Sequence, residues 1–228
     1  MSPFRHTSPF WIRPVACGGC ICGARIASFA MSAKLEMRIR ILDEAVRIIS
    51  SQGERSLRLR DVARGIGISE PTLYHYFDNR DSLVVAALAH RYRQELSATI
   101  DPFVPAVRKC TSKPEFVAIL QKVYSDSFRP ERTAIRMTRA EVVTSAFVRE
   151  SLRDEIKSIM MESLAPSIEA LQIARERGWL PSGIDVRAFA LLNLSLISGR
   201  IFPEIQDDPD LLANWDALAI SAVTALIS

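Results

Sequence analysis

The chain has 228 residues, which is enough for one large domain or for a small domain joined to a larger one. Its composition, with 48% hydrophobic and 24% charged residues, is that of a soluble protein. The net charge of +3 is too small for a surface that wraps nucleic acid nonspecifically, and residues 94–228 carry fifteen basic against eighteen acidic side chains. Any contact with a polyanion is therefore expected in the first part of the chain.

Residues 1–33 differ from the rest of the chain, because they contain three prolines and show no helical periodicity. The segment holds three of the four cysteines, Cys17, Cys20 and Cys22. A closed zinc site would need a fourth ligand, for which His6 is the nearby candidate, and an export signal would need a longer apolar run. A redox sensor is a further alternative. We expect that the tail is disordered or that the true start is Met31, and we predict no metal site. Cys110 is the one cysteine in the rest of the chain and gives no disulfide framework there, so we predict a cytoplasmic location.

The segment from Lys34 to Ser51 has the periodicity of an amphipathic helix. Its apolar stripe consists of Leu35, Ile39, Leu42, Val46 and Ile49. Gln52 and Gly53 end the pattern. The elements that follow are too short to bury a stable core by themselves, so we predict that this first helix packs behind them.

Residues 57–80 predict two short helices joined by a turn. The first helix carries the apolar stripe Leu59, Val62, Ala63 and Ile66. Gly67 breaks this helix, and Ser69 is the predicted N-cap of a second one over residues 71–77, with Pro71 in its first turn. Two helices around a glycine-containing turn are the helix-turn-helix geometry, in which the second helix enters the major groove of DNA.

The second helix has an apolar side and a polar side. Leu73, Tyr76 and Phe77 are predicted to face inward, whereas Pro71, Thr72 and His75 face outward with Tyr74 on the flank. Hydroxyl and imidazole groups on the free side can donate to phosphates or to base edges. The pattern therefore predicts a DNA-recognition helix, although a short helix pair with a glycine turn also occurs in all-α proteins that bind no DNA.

The run from Arg60 to Leu83 resembles the signature of the TetR family of transcriptional regulators. The matching positions are Asp61-Val62-Ala63, Gly67-Ile68-Ser69, Thr72-Leu73-Tyr74, Phe77 and Arg80. The resemblance implies an all-α protein with a three-helix helix-turn-helix DNA-binding head and a larger helical domain for ligand binding and dimerisation. It predicts domain boundaries of 34–80 for the head and 81–228 for the body.

The resemblance and the polar pattern together give the predicted DNA-binding residues. They are Arg58, Arg60, Ser69, Glu70, Pro71, Thr72, Tyr74, His75, Tyr76 and Arg80. The sequence departs from the family at Arg58, where a Ser or Thr is expected to cap the first helix of the pair. We predict that Ser56 supplies the cap instead.

Asp78 and Asn79 predict the N-cap of a longer helix from Arg80 to Ile100. This helix starts beside the DNA-binding elements and ends under the larger domain, so it is predicted to connect the two. His90 lies on it and is expected to be a satisfied or exposed histidine, because no second histidine is close enough in sequence to suggest a metal site.

Beyond Pro105 the periodic segments are all helical, and no strand pattern is found. The predicted helices span residues 114–128, 131–144, 147–177, 186–202 and 211–227. The third is expected to break near Pro166 and to stop at Gly178, and Asp185 is the predicted N-cap of the fourth. The fourth helix is apolar almost all round but too short to span a bilayer, so no membrane is expected as a partner.

The last two helices have more apolar surface than one small body can cover. The resemblance implies that they form a four-helix interface with the same pair of a second subunit. The predicted interface residues are Phe189, Leu192, Ser195, Leu196, Gly199, Trp215, Leu218 and Ala222. The small residues among them permit close approach of helices, although small residues also occur in ordinary cores.

The central helices are predicted to enclose a cavity for a small organic ligand. Its expected lining is Phe116, Tyr124, Phe128, Met137, Phe147, Met160 and Trp179. Plain core packing is the alternative for each of these residues. Arg136, Arg139 and Glu141 are candidates for polar contacts to the ligand, or else a solvated helix face.

These observations predict a homodimeric transcriptional regulator that binds a palindromic DNA operator and is released from it by the ligand. We expect no cofactor and no catalytic site, because the sequence has none of the common nucleophile, zinc-protease or phosphate-loop motifs. A ligand-responsive activator is the alternative, since it would use the same head. A helical small-molecule-binding protein or an enzyme with an inert DNA-like motif is the alternative from another class.

Overall fold

The computed structural model describes residues 20–100 and 103–227, and every regular element within these ranges is helical. The head consists of α1 (Cys20–Gln52), α2 (Leu59–Ile66), α3 (Glu70–Tyr74) and the first part of α4 (Arg80–Ile100). The body adds α5 (Phe103–Lys109), α6 (Lys113–Ser127), α7 (Thr133–Val148), α8 (Glu150–Glu176), α9 (Val186–Gly199), α10 (Ile201–Glu204) and α11 (Pro209–Leu226). The predicted all-α class is confirmed.

Helix α1 begins at Cys20, fourteen positions before the predicted start at Lys34. The expectation of no helix for residues 20–33 is therefore wrong. After Gly23 this stretch contains no proline or glycine, and its alanines favour a helix that the hydrophobic periodicity does not reveal. The expectations for residues 1–19, including His6 and Cys17, lie outside the described residues, as do the side chains of Cys20 and Cys22.

The helix-turn-helix pair forms much as predicted. Gly67 takes the left-handed conformation, with φ of 73°, and its amide donates to the carbonyl oxygens of Ala63 and Arg64 at the end of α2. The Ser69 hydroxyl caps α3 by accepting a hydrogen bond of 3.3 Å from the Thr72 amide. Helix α3 ends at Tyr74, three residues earlier than predicted, because the chain turns at once into the cap of α4.

We predict that Gly67→Ala lowers the free energy of unfolding by about 1–2 kcal/mol. A Cβ at Gly67 would meet nothing within 4 Å, so the loss comes from the backbone conformation alone. Gly183→Ala is the matched control, because that glycine also has open space around it but has no positive φ. Urea denaturation of both variants checks this expectation, and equal stability of the two would contradict it.

Helix α4 has the predicted boundaries and the predicted cap. The Asn79 Oδ1 accepts a 2.8 Å hydrogen bond from the Ser82 amide, while the Ser82 hydroxyl donates back to the Asn79 carbonyl oxygen. Farther along, His90 Nε2 lies 2.8 Å from an Asp43 carboxylate oxygen of α1, which satisfies the imidazole as expected. Arg93 pairs with Glu162 of α8 at 2.7 Å. One helix thus contacts both the head and the body.

The body differs from the predicted helices at several places. Helix α5 was not predicted; Pro105 lies in its first turn, where proline is tolerated. Helix α7 extends to Val148, so the following helix begins at Glu150 and not at Phe147. Helix α8 runs through Pro166 without a break. The fourth predicted helix ends at Gly199, and the short α10 follows it. The predicted stop at Gly178 is confirmed, since this residue has φ of 73°.

A buried ionic cluster joins α7, α9, α10 and α11. The Arg136 guanidinium, which is only 1% exposed, pairs with Glu204 and also donates to the Ser127 carbonyl oxygen. Arg200 binds both Glu204, at 2.5 Å, and Asp216, at 2.7 Å. Burial opposes ionisation of Glu204, but hydrogen bonds from the two arginines and a threonine outweigh it and lower the pKa of this carboxyl.

The alternative of a solvated face for Arg136 and Arg139 is wrong. Both guanidinium groups are buried, and the Arg139 group donates to the Glu95 carbonyl oxygen of α4 at 2.5 Å. Glu141 is exposed. The charge pattern of α7 does not reveal this burial, because the compensating groups come from distant parts of the chain.

Candidate DNA-binding surface and ligand cavity

Helix α3 presents its polar side to solvent. The Tyr74 side chain is 50% exposed, and Pro71 and His75 are also exposed, while Leu73 and Phe77 are buried. Thr72 is half-buried, and its hydroxyl lies 2.8 Å from the Ser69 hydroxyl. The predicted division of this helix into a buried and a free side is therefore confirmed.

A basic concave surface lies next to α3. It brings together four of the predicted DNA-binding residues, Arg58, Arg60, Glu70 and Arg80. The Arg60 guanidinium approaches Asp61 only to 3.8 Å and is largely free to reach a phosphate. Arg58 donates to the Arg55 carbonyl oxygen at 2.9 Å, which holds its charge beside the start of α2.

Two of the sequence expectations at this surface need correction. The Arg80 guanidinium is directed inward, where Nε donates to the Leu57 carbonyl oxygen at 2.9 Å and Nη2 donates to the Glu54 carbonyl oxygen. Tyr76 is half-buried against the core, in line with its predicted inward position, and its contact with DNA stays a prediction. Ser56 does not cap α2, because its hydroxyl donates to the Gln52 carbonyl oxygen, 2.8 Å away. Local spacing did not reveal these distant backbone partners.

Sequence reasoning missed the contribution of α1 to the recognition helix. The Arg38 guanidinium lies 4.5 Å from the ring centre of Phe77 and donates to the Tyr76 carbonyl oxygen at 3.3 Å. Arg40 donates to the Ile66 carbonyl oxygen at the end of α2. These two arginines hold the exposed helix pair against α1, and no local motif marks them.

An ion pair links the head directly to the body. The carboxylate of Glu54, which lies before α2, binds both terminal nitrogens of Arg149, with Nη1 and Oε2 2.9 Å apart. Arg149 separates α7 from α8. Its hydrogen bonds lower the pKa of the Glu54 carboxyl, because they favour the ionised form.

A cavity of about 60 Å³ lies in the body between α4, α5, α6, α8 and α9. Its lining is Ile100, Phe103, Leu120, Val123, Leu164, Ser167, Leu171, Ala190, Asn193, Leu194 and Ile197. Nine of these side chains are apolar. Concave apolar spaces between helices are typical of sites for small organic molecules.

The predicted ligand-binding residues do not line this cavity. Phe116, Tyr124, Phe128 and Trp179 are buried in the packed core, where Phe116 and Trp179 stack with ring centres 6.0 Å apart. Met160 is half-buried against the core. Met137 and Phe147 are exposed, the latter by 73%, so their assignment to an enclosed site is wrong. Helical spacing predicts burial but does not distinguish a cavity wall from filled core.

Comparison with known proteins shows what the head resembles. Residues 41–87, which run from α1 into α4 and include the whole helix-turn-helix pair, match the family model of bacterial regulatory proteins, tetR family. This part of the chain is therefore that of a TetR-type regulator. Among curated relatives, the HTH-type transcriptional regulator BetI of Rhizobium meliloti is 26% identical over 159 residues, covering 66% of this chain and 76% of the relative.

Solved TetR structures have the same fold. A TetR-family regulator from Rhodococcus sp. aligns with a TM-score of 0.62 at 22% identity, covering 84% of this chain and 98% of the other. FadR from Bacillus subtilis, solved in complex with stearoyl-CoA, aligns with a TM-score of 0.53 at 21% identity, covering 83% and 97%. These structures show the fold, while the match of the head to the tetR family model and the likeness to curated regulators indicate a DNA-binding transcriptional regulator.

The last two long helices, α9 and α11, leave several of the predicted interface residues uncovered. Leu192, Ser195, Leu218 and Ala222 are exposed, and Leu196, Gly199 and Trp215 are half-buried. Phe189 differs from the prediction, because its side chain is buried within its own subunit. The remaining interface residues stay a prediction.

Two further expectations concern ligands and membranes. In the described part of the chain, no group of three His, Cys, Asp or Glu side chains is placed to hold a metal ion. No described helix is both long and apolar enough to cross a membrane.

Proposed function

We propose that this chain is a homodimeric repressor that binds a palindromic operator and leaves it when a small organic molecule enters the body cavity. The observation that carries the proposal is the continuity of α4. Its first residue, Arg80, is bonded to the head, and its last residue, Ile100, lines the cavity.

The proposed dimer places two α3 helices on one face of the DNA. Pairing of α9 and α11 with the same helices of a second subunit covers the apolar face that contains Leu192 and Leu218. In a helix-turn-helix dimer the two recognition helices enter successive major grooves about 34–36 Å apart. The predicted palindrome of the operator follows from the two-fold symmetry of such a dimer.

The proposed release depends on two connections between the cavity and the head. Helix α4 is one of them, and the Glu54–Arg149 ion pair is the other. A ligand that tilts α4 changes the separation of the two α3 helices and lowers the affinity for the operator. Because such coupling is reciprocal, the ligand then binds more weakly to the DNA-bound dimer by the same factor.

The likeness to ligand-bound relatives supports this proposal. FadR of Bacillus subtilis was solved with stearoyl-CoA, and a regulator from Saccharomonospora viridis, with a TM-score of 0.57, was solved with choline. In both structures, a protein with a similar fold is bound to a small organic molecule. The apolar cavity between α4 and α9 is the corresponding candidate in this chain.

The proposal is tested by binding of the full chain to labelled DNA from beside its own gene, with unrelated competitor DNA present. We expect saturable binding that survives competitor, with an affinity that falls steeply with salt because phosphate contacts release counterions. Ligands are then found by release of this DNA. If neither this DNA nor a random-sequence selection yields specific binding, the proposal is rejected.

The dimer is tested by Leu218→Glu. Leu218 is 67% exposed in the single chain, so a charge there spares the subunit but disrupts an apolar interface. We expect sedimentation to show a dimer for the wild type and a monomer for the variant at micromolar concentration, with loss of operator binding. Val148→Glu, which changes an apolar residue that is still more exposed and lies at the end of α7, serves as the control. A wild-type monomer would contradict this expectation.

A further inference from the structure

We infer that the cavity binds an uncharged alkyl chain and not a quaternary ammonium ion such as choline. The inference rests on the proposed function, in which this cavity is the ligand site. It goes beyond that proposal by naming the chemical class of the ligand. It also distinguishes the ligand of this chain from that of the similar Saccharomonospora viridis regulator, which was solved with choline.

The charge of the lining is the first argument. Among the described residues that form the cavity wall, none carries an ionisable side chain. A cation moved from water into such a space has no partner to offset its desolvation. A quaternary ammonium ion is normally held by several aromatic rings, but Phe103 is the single aromatic residue of this wall.

The polar groups of the lining are the second argument. The side-chain amide of Asn193 already makes two hydrogen bonds, because its Oδ1 accepts from the Tyr124 hydroxyl at 2.7 Å and its Nδ2 donates to the Phe189 carbonyl oxygen at 2.6 Å. Ser167 is only 6% exposed, and its hydroxyl has no hydrogen-bond partner within the described part of the chain. The polar groups that the wall offers to a ligand, the Ser167 hydroxyl and the rest of the Asn193 amide, are therefore neutral.

The shape of the wall is the third argument. The remaining contacts come from branched aliphatic side chains, which include Leu164, Leu171 and Ile197. Such a wall stabilises an alkyl chain by removing apolar surface from water, and each buried methylene raises affinity roughly fourfold. The volume of about 60 Å³ holds several water-sized groups, so longer chains must displace these side chains.

The test is calorimetry of the full chain with 1-butanol, 1-hexanol, 1-octanol and choline. We expect affinity to rise from 1-butanol to 1-octanol, by roughly threefold to fourfold for each methylene that the cavity takes up without displacing a side chain, and we expect no heat of binding with choline. Choline binding at the level of the alcohols would overturn the inference.

Two variants locate the binding. Ala190→Leu adds volume to the cavity wall and should reduce octanol affinity at least tenfold, whereas Ala134→Leu, on an exposed position of α7, should not change it. Ser167→Ala, which leaves the packing almost unchanged, should reduce octanol affinity about fivefold through the lost hydrogen bond. Octanol binding that is the same in all three variants, or absent from the wild type, would overturn the inference.

Failure of this inference remains distinct from failure of the proposed function. The calorimetry contains no DNA, and operator binding by the unliganded dimer is measured separately. Octanol binding together with specific operator binding supports both statements, and addition of octanol should then release the DNA. Specific operator binding without any alcohol binding rejects only the ligand class.

Discussion

Replacing Tyr74 by alanine is expected to weaken operator binding by roughly thirtyfold or more, because each contact of a recognition helix contributes about 1–3 kcal/mol and a dimer loses two. The ring is half exposed on the free side of α3. Its removal leaves the buried Leu73 and Phe77 in place, so the melting temperature should stay the same. Fluorescence anisotropy with labelled operator measures the affinity, and circular dichroism confirms the fold.

Phe147→Ala is the control for this prediction. It also removes an exposed aromatic ring, but from the junction of α7 and α8 in the body. We expect wild-type affinity for this variant. If Tyr74→Ala bound the operator as tightly as Phe147→Ala, Tyr74 would be excluded from the DNA contacts.

Glu204→Leu is expected to lower the free energy of unfolding by about 3–5 kcal/mol, because it leaves the buried Arg136 guanidinium without a carboxylate partner. Arg200 keeps its own partner, Asp216, so the loss is confined to Arg136. A loss of this size is a large part of the stability of an ordinary domain. Urea denaturation measures it directly.

The matched control is Glu169→Leu, which breaks the exposed pair with Arg108, 2.9 Å apart, and should cost less than about 1 kcal/mol. The double variant Arg136→Met/Glu204→Leu removes both buried charges and should recover part of the lost stability. If the single variants at positions 169 and 204 were equally stable, the buried cluster would contribute no more than a surface pair.

The Glu204 carboxylate also makes the stability of the protein depend on pH in the acidic range. Since the pKa of Glu204 is lowered in the folded state, its stabilisation is present above the ordinary value of 4.5 and is lost as the pH falls through the lowered one. The stabilities of the wild type and of Glu204→Leu should therefore converge in that acidic range. A constant difference down to low pH would contradict this assignment.

The head was predictable from sequence because its signals are local. Gly67, Ser69 and Asn79 each fix a helix boundary through contacts within four residues, and the structure places α2 and α4 at the predicted positions. The inward turn of Arg80 was not predictable, because its partners are backbone carbonyl oxygens more than twenty positions away.

The body was predictable in class but not in detail. The helical spacing of apolar residues correctly predicts that Phe116 and Tyr124 are buried. The same spacing, however, occurs in cavity walls, in filled cores and at subunit interfaces. Phe189 illustrates the limit, since one turn of α9 separates this buried side chain from the exposed Leu192. The cavity depends on which side chains leave space between five helices, and no single segment encodes that.

Helix α4 packs against both the head and the body, which limits how the protein can be divided into fragments. The side chains of His90 and Gln94 both contact Asp43 of α1, while Arg91 of the same turns bonds to Thr138 of α7. A fragment that stops at residue 80 would lack the helix that closes the core of the head, and it should not fold. A chimaera with a new DNA specificity should therefore keep α4 whole and exchange only residues on the outer side of α3.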